Sequence, residues 1–544
     1  MTFLVRFLRW RSPGLALLAT LAVAGALLVA PTLNNLLTAS TVTAAHEVST
    51  LSTAPAPSAA VTTSGCLDSV PAPGTRLAQK ICYSLFQPAG SSAVHTVPLI
   101  FHSHGWAGRR STSASSFAAF LKAGFGVLSF DQRGFGESGG RTGVENPTLE
   151  GKDVELLVAM VSRLAWVTQD GPGDPRLGAV GGSLGGGYQF VGAFGEVTDS
   201  ATRKPIFDAL APEITWWDLK ASFAPAGVTR TAWLRSLLAS GSRALPKDIL
   251  DDMTAALDAG SWPTAPMPGA AKLDAFFTRN GPRWQVSQGR TLDIPVLFHQ
   301  GATDTLFPLQ QGLANFQQAL TPSAKARSLF LGFNGGHVAP AVYPPALSSS
   351  GDPCSAAQGS ENFLGVTIRF FQKALLGVDS GLTGYGLYHL ATAGNTCTTT
   401  SSVHANTDFP LALPVATRGK PGGPIGTLIA AGPIRVAGTP TFTATLHTDG
   451  TNSRAFYALG VGTSPTDVKI VQNNVVPVNE PLPVAAGLRQ VELPSVAVDV
   501  PAGMSLYLVA TSSSDSFTAP TGSSPGTVVL TNVVLHLPVV PAAS

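Results

Sequence analysis

Charge is scarce in this chain: Asp, Glu, Lys and Arg make up only 12% of its 544 residues. The 34 basic and 32 acidic side chains leave a formal net charge of +2 and are scattered. No basic block exists that would neutralise several phosphates, which argues against nucleic acid as a partner. Cysteine is scarcer still, with four residues and no Cys-x-x-Cys spacing, so a thiolate metal site is not expected. No repeat with a period of about 20 to 50 residues is present, which sets aside solenoids and propellers. What the chain has instead is glycine (57) and proline (42) in an ordinary 44% apolar background. Its length exceeds what one hydrophobic core organises, so two or three domains are expected.

Long apolar runs are also few. Arg6, Arg9 and Arg11 precede one, Leu15 to Ala30, and residues 1–37 have the polarity of a signal peptide or signal anchor. The run is short for a membrane span of roughly 20 residues, although Pro31 to Leu37 extends it. The protein is therefore expected to be secreted or extracytoplasmic. It would be tethered to the membrane through this segment if cleavage near Val42-Thr43-Ala44 does not occur. Cys66 lacks the context of a lipoprotein cysteine, so lipidation is not expected. All four cysteines, Cys66, Cys82, Cys354 and Cys397, follow the export signal, and two disulfides are expected. Three pairings are open, and proximity favours Cys66 with Cys82 and Cys354 with Cys397.

Residues 38–64 are rich in Thr, Ser, Ala and Pro without apolar periodicity and read as a flexible linker. From Val97 short apolar runs alternate with helical patterns, the signature of a mostly parallel sheet covered by helices, so residues 65–398 read as an α/β domain. Its strands are expected at Val97 to Ser103, Gly126 to Phe130, Leu177 to Val180, Phe207 to Ala211, Ile294 to His299 and Ser328 to Leu331. Val154, Leu157, Val158, Val161 and Leu164 form one helical stripe. Residues 213–290 interrupt the alternation and read as a helical cap, with Trp216 and Trp217 either lining a pocket or packing cap to core. The stretch 399–424 is rich in Thr, Pro and Gly, and residues 425–541 alternate like an all-β sandwich.

In so glycine-rich a chain Gly-x-Ser-x-Gly alone means little, and Ser138, Ser183 and Ser524 all satisfy it. Only Ser183 follows a strand pattern (Leu177 to Val180) and precedes a helix pattern, Gly185-Gly186-Gly187-Tyr188, as a nucleophile on a sharp strand-to-helix turn requires. A serine hydroxyl needs a histidine to take its proton and a carboxylate to orient that histidine. Both are expected in the order Ser, Asp, His. Asp304, after the strand ending at His299, and His337, in Gly335-Gly336-His337 after the next strand, satisfy order and placement. Asp208 and Asp293 lie at the wrong end of their strands, His299 lies within one, and His102 and His104 precede the nucleophile. The oxyanion of the tetrahedral intermediate needs two backbone donors. These are expected to be the N–H groups of Leu184 and of Trp106, in His102-Ser103-His104-Gly105-Trp106.

With these residues in place the chain resembles peptidase family S15, the X-prolyl dipeptidyl peptidases and cocaine-esterase-like hydrolases. The resemblance rests on Asp131-Gln132-Arg133-Gly134-Phe135-Gly136-Glu137-Ser138-Gly139-Gly140, on Gly182-Ser183-Leu184-Gly185-Gly186-Gly187-Tyr188-Gln189, on Ala211-Pro212-Glu213-Ile214-Thr215-Trp216-Trp217 and on the blocks around Asp304 and His337. It implies an α/β-hydrolase fold with a helical cap and a C-terminal jelly roll, Leu493 to Leu508 being similar to a signature strand pair. It also implies hydrolysis of esters or amides by Ser183, Asp304 and His337 without metal or cofactor. Two departures stand out: the loop after the first domain strand carries Trp106 where the family often has an oxyanion-binding tyrosine, and no acidic residues are identifiable for a substrate's free amino terminus. The expected partner is a small ester or peptide. The alternatives are a carbohydrate or polyester esterase and a catalytically silent binding protein; the oligomeric state is not legible.

Overall fold

The structure is a computed structural model, and it describes residues 59–195, 205–337, 346–347, 349–418, 424–517 and 526–541. The expected export segment 1–37 and Ser524 lie outside the described residues, as does most of the expected linker. The part of that linker which is described is not one. Val61–Ser69 is a strand (β1) paired antiparallel to Gln79–Gln87 (β2). Its outward face is Thr and Ser and so shows no apolar signal. The pairing comes from tertiary partners, the Cys66–Cys82 disulfide across the two strands and the Ser64–Ser84 hydrogen bond of 2.9 Å.

Eight further strands complete a ten-stranded sheet: Leu99–Ser103 (β3), Gly126–Phe130 (β4), Leu177–Gly182 (β5), Ala209–Glu213 (β6), Leu297–Gly301 (β7), Leu329–Phe333 (β8), Tyr388–Ala391 (β9) and Cys397–Thr400 (β10). The order is β1-β2-β4-β3-β5-β6-β7-β8-β9-β10. From β4 through β9 neighbouring strands are parallel, with antiparallel strands only at the two edges. The strand order reverses direction between β3 and β5, and at such a switch point an open parallel sheet leaves a crevice beyond its carboxyl ends.

Helices cover both faces. Glu150–Val161 (α1) buries Val154, Leu157, Val158 and Val161, and Leu184–Ala193 (α2) packs beside it. On the other face Phe363–Leu376 (α3) buries Phe370 and Phe371 against Ile100 and Val127. The second disulfide, Cys354–Cys397, joins the helix that starts at Pro353 to β10. Between β6 and β7 the helices Thr231–Gly241, Lys247–Ala259 and Ala270–Thr278 form a cluster with Leu184, Trp216 and Phe307 above the carboxyl ends of the strands. Trp216 belongs to that cluster, whereas Trp217 packs into the core beneath the sheet.

Beyond β10 the strands are antiparallel and form a sandwich. In Thr441–Thr448 burial alternates strictly, with Phe442, Ala444, Leu446 and Thr448 inside, as a half-buried strand demands. The sandwich starts earlier than the expected boundary at 425: Thr407–Pro410 and Val415–Ala416 both pair with Val528–Leu537. Their polar composition hides strands whose pairing is supplied by a partner more than a hundred residues away. Two disulfides suit an oxidising compartment, and among the described residues no helix is long and apolar enough to cross a membrane.

Candidate active site

Ser183 sits between β5 and α2 with φ 58° and ψ −121°, a conformation that a non-glycine residue holds only when its surroundings enforce it. The enforcement comes from close packing. A Cβ at Gly181, whose φ is 145°, would lie 2.6 Å from the carbonyl oxygen of Gly185 and 2.7 Å from that of Ser103. Only glycine lets strand, turn and helix approach this far. The Ser183 N–H donates to the Glu213 carbonyl at 3.0 Å, and the Thr215 hydroxyl donates to the Ser183 carbonyl at 3.1 Å, tying the turn to β6.

The structure brings the three expected side chains together. Ser183 Oγ lies 2.9 Å from His337 Nε2, and His337 Nδ1 lies 2.7 Å from Asp304 Oδ2. Asp304 is fully buried and His337 is 3% exposed, so water does not compete for these bonds. The carboxylate is held by four donors: the Leu306 and Phe307 N–H groups reach Oδ1 at 2.9 and 2.6 Å, while the His337 N–H reaches Oδ2 at 3.0 Å beside the imidazole. Thr305 donates from both N–H and hydroxyl to the His337 carbonyl, at 2.8 and 3.0 Å, fixing the histidine's backbone. Trp233 and Phe307 meet the imidazole edge-on at 5.8 and 5.2 Å and fix its plane.

Two supports were not foreseen from the sequence. Arg230 is buried and donates to the carbonyls of Thr305 and Ser222; burial pulls its pKa down to about 10 although the Asp304 charge opposes this, so it stays a cation. Asn474, in the sandwich, donates to the Asp304 carbonyl at 2.7 Å. No local pattern in either neighbourhood signals these contacts.

Leu184 opens α2, so its N–H has no carbonyl one turn back within the helix to bond. The turn after β3 lies against the nucleophile, a Cβ on Gly105 being 3.6 Å from Ser183 Cβ, which places the adjoining Trp106 beside Ser183. The Trp106 indole N–H is already committed to the Leu237 carbonyl at 2.9 Å, so only its backbone N–H is free to serve as expected. Ser138 is occupied structurally: its hydroxyl donates to the Asp131 carbonyl at 2.7 Å and accepts from the Cys82 N–H at 2.9 Å. His102 is pushed down to about 3 by burial and then by His104, and bonds Ser129 rather than the site. Asp208 accepts from the Leu177 N–H at the opposite end of β5. Among the described residues no group of three His, Cys, Asp or Glu side chains is placed to hold a metal ion.

A parallel sheet with a serine on a strained turn after a central strand, and an imidazole and a carboxylate on neighbouring loops, defines the α/β-hydrolase class. Residues 74–339, just under half of the chain, match the model of the X-Pro dipeptidyl-peptidase (S15) family. A CocE/NonD family hydrolase from Staphylococcus aureus superposes with a TM-score of 0.61 at 12% identity, covering 88% of this chain and 93% of its own. An alpha-amino acid ester hydrolase superposes with a TM-score of 0.61 at 14% identity over 90% and 98% of the two chains. At such identities these likenesses carry the fold alone. An uncharacterized 31.7 kDa protein of Escherichia coli is 40% identical over 98 residues, 18% of this chain, and the chain spans only 32% of that relative's length.

Proposed function

We propose that this chain is an exported serine hydrolase that cleaves a small ester or peptide through an acyl-enzyme on Ser183. The observation that carries the reading is the unbroken chain from Ser183 Oγ to His337 Nε2 and from His337 Nδ1 to the buried Asp304. In the first half-reaction His337 takes the Ser183 proton while Oγ bonds the substrate carbonyl carbon. The intermediate collapses as the bond to the leaving group breaks, and His337 returns the proton to that group. Water then repeats the sequence and frees the acid. Asp304 keeps Nδ1 protonated, so Nε2 faces the serine as an acceptor. The backbone N–H groups of Leu184 and Trp106 meet the developing oxyanion. Both disulfides and the charged-then-apolar N-terminus support export.

The test is a fluorophosphonate probe on the mature protein and on Ser183→Ala, followed by peptide mapping. Labelling of Ser183 that disappears in the variant is expected, with ester hydrolysis falling roughly 10⁴-fold or more. Labelling at Ser138, or none, would sink the proposal.

A further inference from the structure

The strained turn opens into a cavity whose lining says what part of a substrate it accepts. Apart from Ser183 itself, every lining side chain is hydrophobic. Leu184, Trp106 and Phe307 come from the core, and Leu237, Met253 and Phe277 from the helices above it. The two indoles in the wall offer no polar handle, because Trp106 donates to the Leu237 carbonyl and Trp216 to the Asn280 carbonyl. Glu145 follows the lining residue Val144 but faces a different cavity, on the other side of Trp216. There its two carboxyl oxygens have no hydrogen-bond partner, and burial, then the charges of Glu150 and Asp153, hold its pKa well above the carboxylate range. A carboxyl that opens on another cavity, behind an indole, is no counter-ion for an ammonium group in this one.

His337 does not line this cavity, and the leaving group must lie beside His337 to receive its proton. The moiety on the cavity side is therefore the acyl group. The cavity measures about 40 Å³. A chamber this small takes a short chain beyond the carbonyl carbon and excludes a long one.

We propose that the chamber is an acyl pocket for short, uncharged aliphatic acyl groups, and that it rejects acyl groups bearing an α-ammonium. This rests on the acyl-enzyme reading above and narrows it to esters of short fatty acids, with water as the second reactant. An α-ammonium placed here loses its hydration and meets no acceptor.

The experiment measures kcat/KM on p-nitrophenyl esters of acetate, butyrate, pentanoate, octanoate and dodecanoate, on the 2-aminobutyrate ester, and on alanyl-prolyl-p-nitroanilide. An optimum among the esters shorter than octanoate is expected, with the 2-aminobutyrate ester at least about 100-fold below butyrate. Met253→Ala should move the optimum toward octanoate. Faster turnover of the amino ester or of the dipeptide anilide, most directly if Glu145→Gln abolishes it, would overturn the acyl-pocket proposal while leaving the serine hydrolase standing. An optimum at dodecanoate would overturn it as well. Failure of the fluorophosphonate to label Ser183 would remove both readings together.

Discussion

Two buried imidazoles at the carboxyl end of this sheet do opposite things with the same atoms. His337 has one carboxylate, Asp304, and a serine hydroxyl on its other nitrogen. His299, in β7, has a carboxylate on each side: Glu213 of β6 at 3.1 Å from Nδ1 and Asp352 at 3.2 Å from Nε2. Its ring is stacked between Phe333 and Phe363, 4.0 and 3.9 Å away and nearly parallel, where the edges of Trp233 and Phe307 meet His337. Burial works against a charge on His299, but the hydrogen bonds to Asp352 and to Glu213 outweigh it and push its pKa up to about 9. An imidazole with acceptors on both nitrogens must keep both protons and is a structural cation. One that faces a hydroxyl has a nitrogen on which a proton can arrive and leave. The partner on the second nitrogen, more than burial, separates a base from a strut.

The comparison breaks most sharply at the catalytic side. Asp304→Asn keeps the shape and the hydrogen-bond distances but lets the amide favour the wrong histidine tautomer, so kcat on a p-nitrophenyl ester should fall roughly 10⁴-fold. The temperature of unfolding should move little beside that loss. A variant retaining a tenth of wild-type kcat would mean that Asp304 only anchors its loop.

Removing the strut should do the reverse. His299→Gln leaves two half-buried carboxylates facing each other without a cation; losing one partner of a fully buried ionic cluster costs about 3–5 kcal/mol, and solvent at the two carboxylates keeps the loss toward the lower end. Urea unfolding should register that loss while kcat of the folded fraction stays within about tenfold. Some effect on rate is expected because the Glu213 carbonyl also receives the Ser183 N–H. Unchanged stability would mean that His299 is not the cation its partners imply.

The strut also writes a pH signature. A histidine whose pKa rises from about 6.5 unfolded to about 9 folded contributes stability that is complete below pH 6.5 and is lost as pH climbs through 9. The loss over that window is on the order of 3 kcal/mol, and it should be absent in His299→Gln, so the gap between the two proteins should narrow from pH 7 to 9. Glu150 and Asp208, each pushed up to about 7 chiefly by burial, lose their contribution as pH rises toward 7, before that window and in both proteins alike. A gap constant from pH 6 to 9.5 would contradict a raised His299.

The two imidazoles also differ in how well a sequence announces them. Ser183, Asp304 and His337 each lie on a loop just past a strand, among glycines, and that placement separates Asp304 from Asp208 and Asp293, which lie at the opposite ends of theirs. His299 reads as one more residue of an apolar strand, because its partners are 86 and 53 positions away and Asp352 sits in an unremarkable loop. Strand limits slip for a related reason. Phe207 to Ala211 is the apolar run, yet the strand is Ala209–Glu213, and Ile294 to His299 becomes Leu297–Gly301. The polar and small residues that finish these strands are buried by the site rather than by apolar packing, so hydrophobicity ends before the strand does. The hairpin β1–β2 is hidden the same way, its outer face being hydroxylated and its register set by Cys66–Cys82.

The smallest effect concerns the sandwich, and it tests whether the acid of the proposed triad is held by its own domain alone. Asn474 Nδ2 donates to the Asp304 carbonyl at 2.7 Å, and nearby Gln472 donates to Asn334 Oδ1 at 3.0 Å and to the Ala391 carbonyl at 2.7 Å. Gln472 and Asn473 adopt φ of 50° and 63°, a local cost that such contacts offset. Asn474→Ala removes one hydrogen bond and leaves a buried carbonyl unsatisfied, which costs about 1–2 kcal/mol. Since the four donors to the Asp304 carboxylate remain, kcat should fall only a few-fold, KM should hold, and Asn474→Asp should not rescue, because an ionised carboxylate cannot donate to a carbonyl. An unchanged kcat together with the expected stability loss would mean that the sandwich steadies the acid loop without reaching the chemistry. A drop approaching that of Asp304→Asn would make the second domain a working part of the first one's active site.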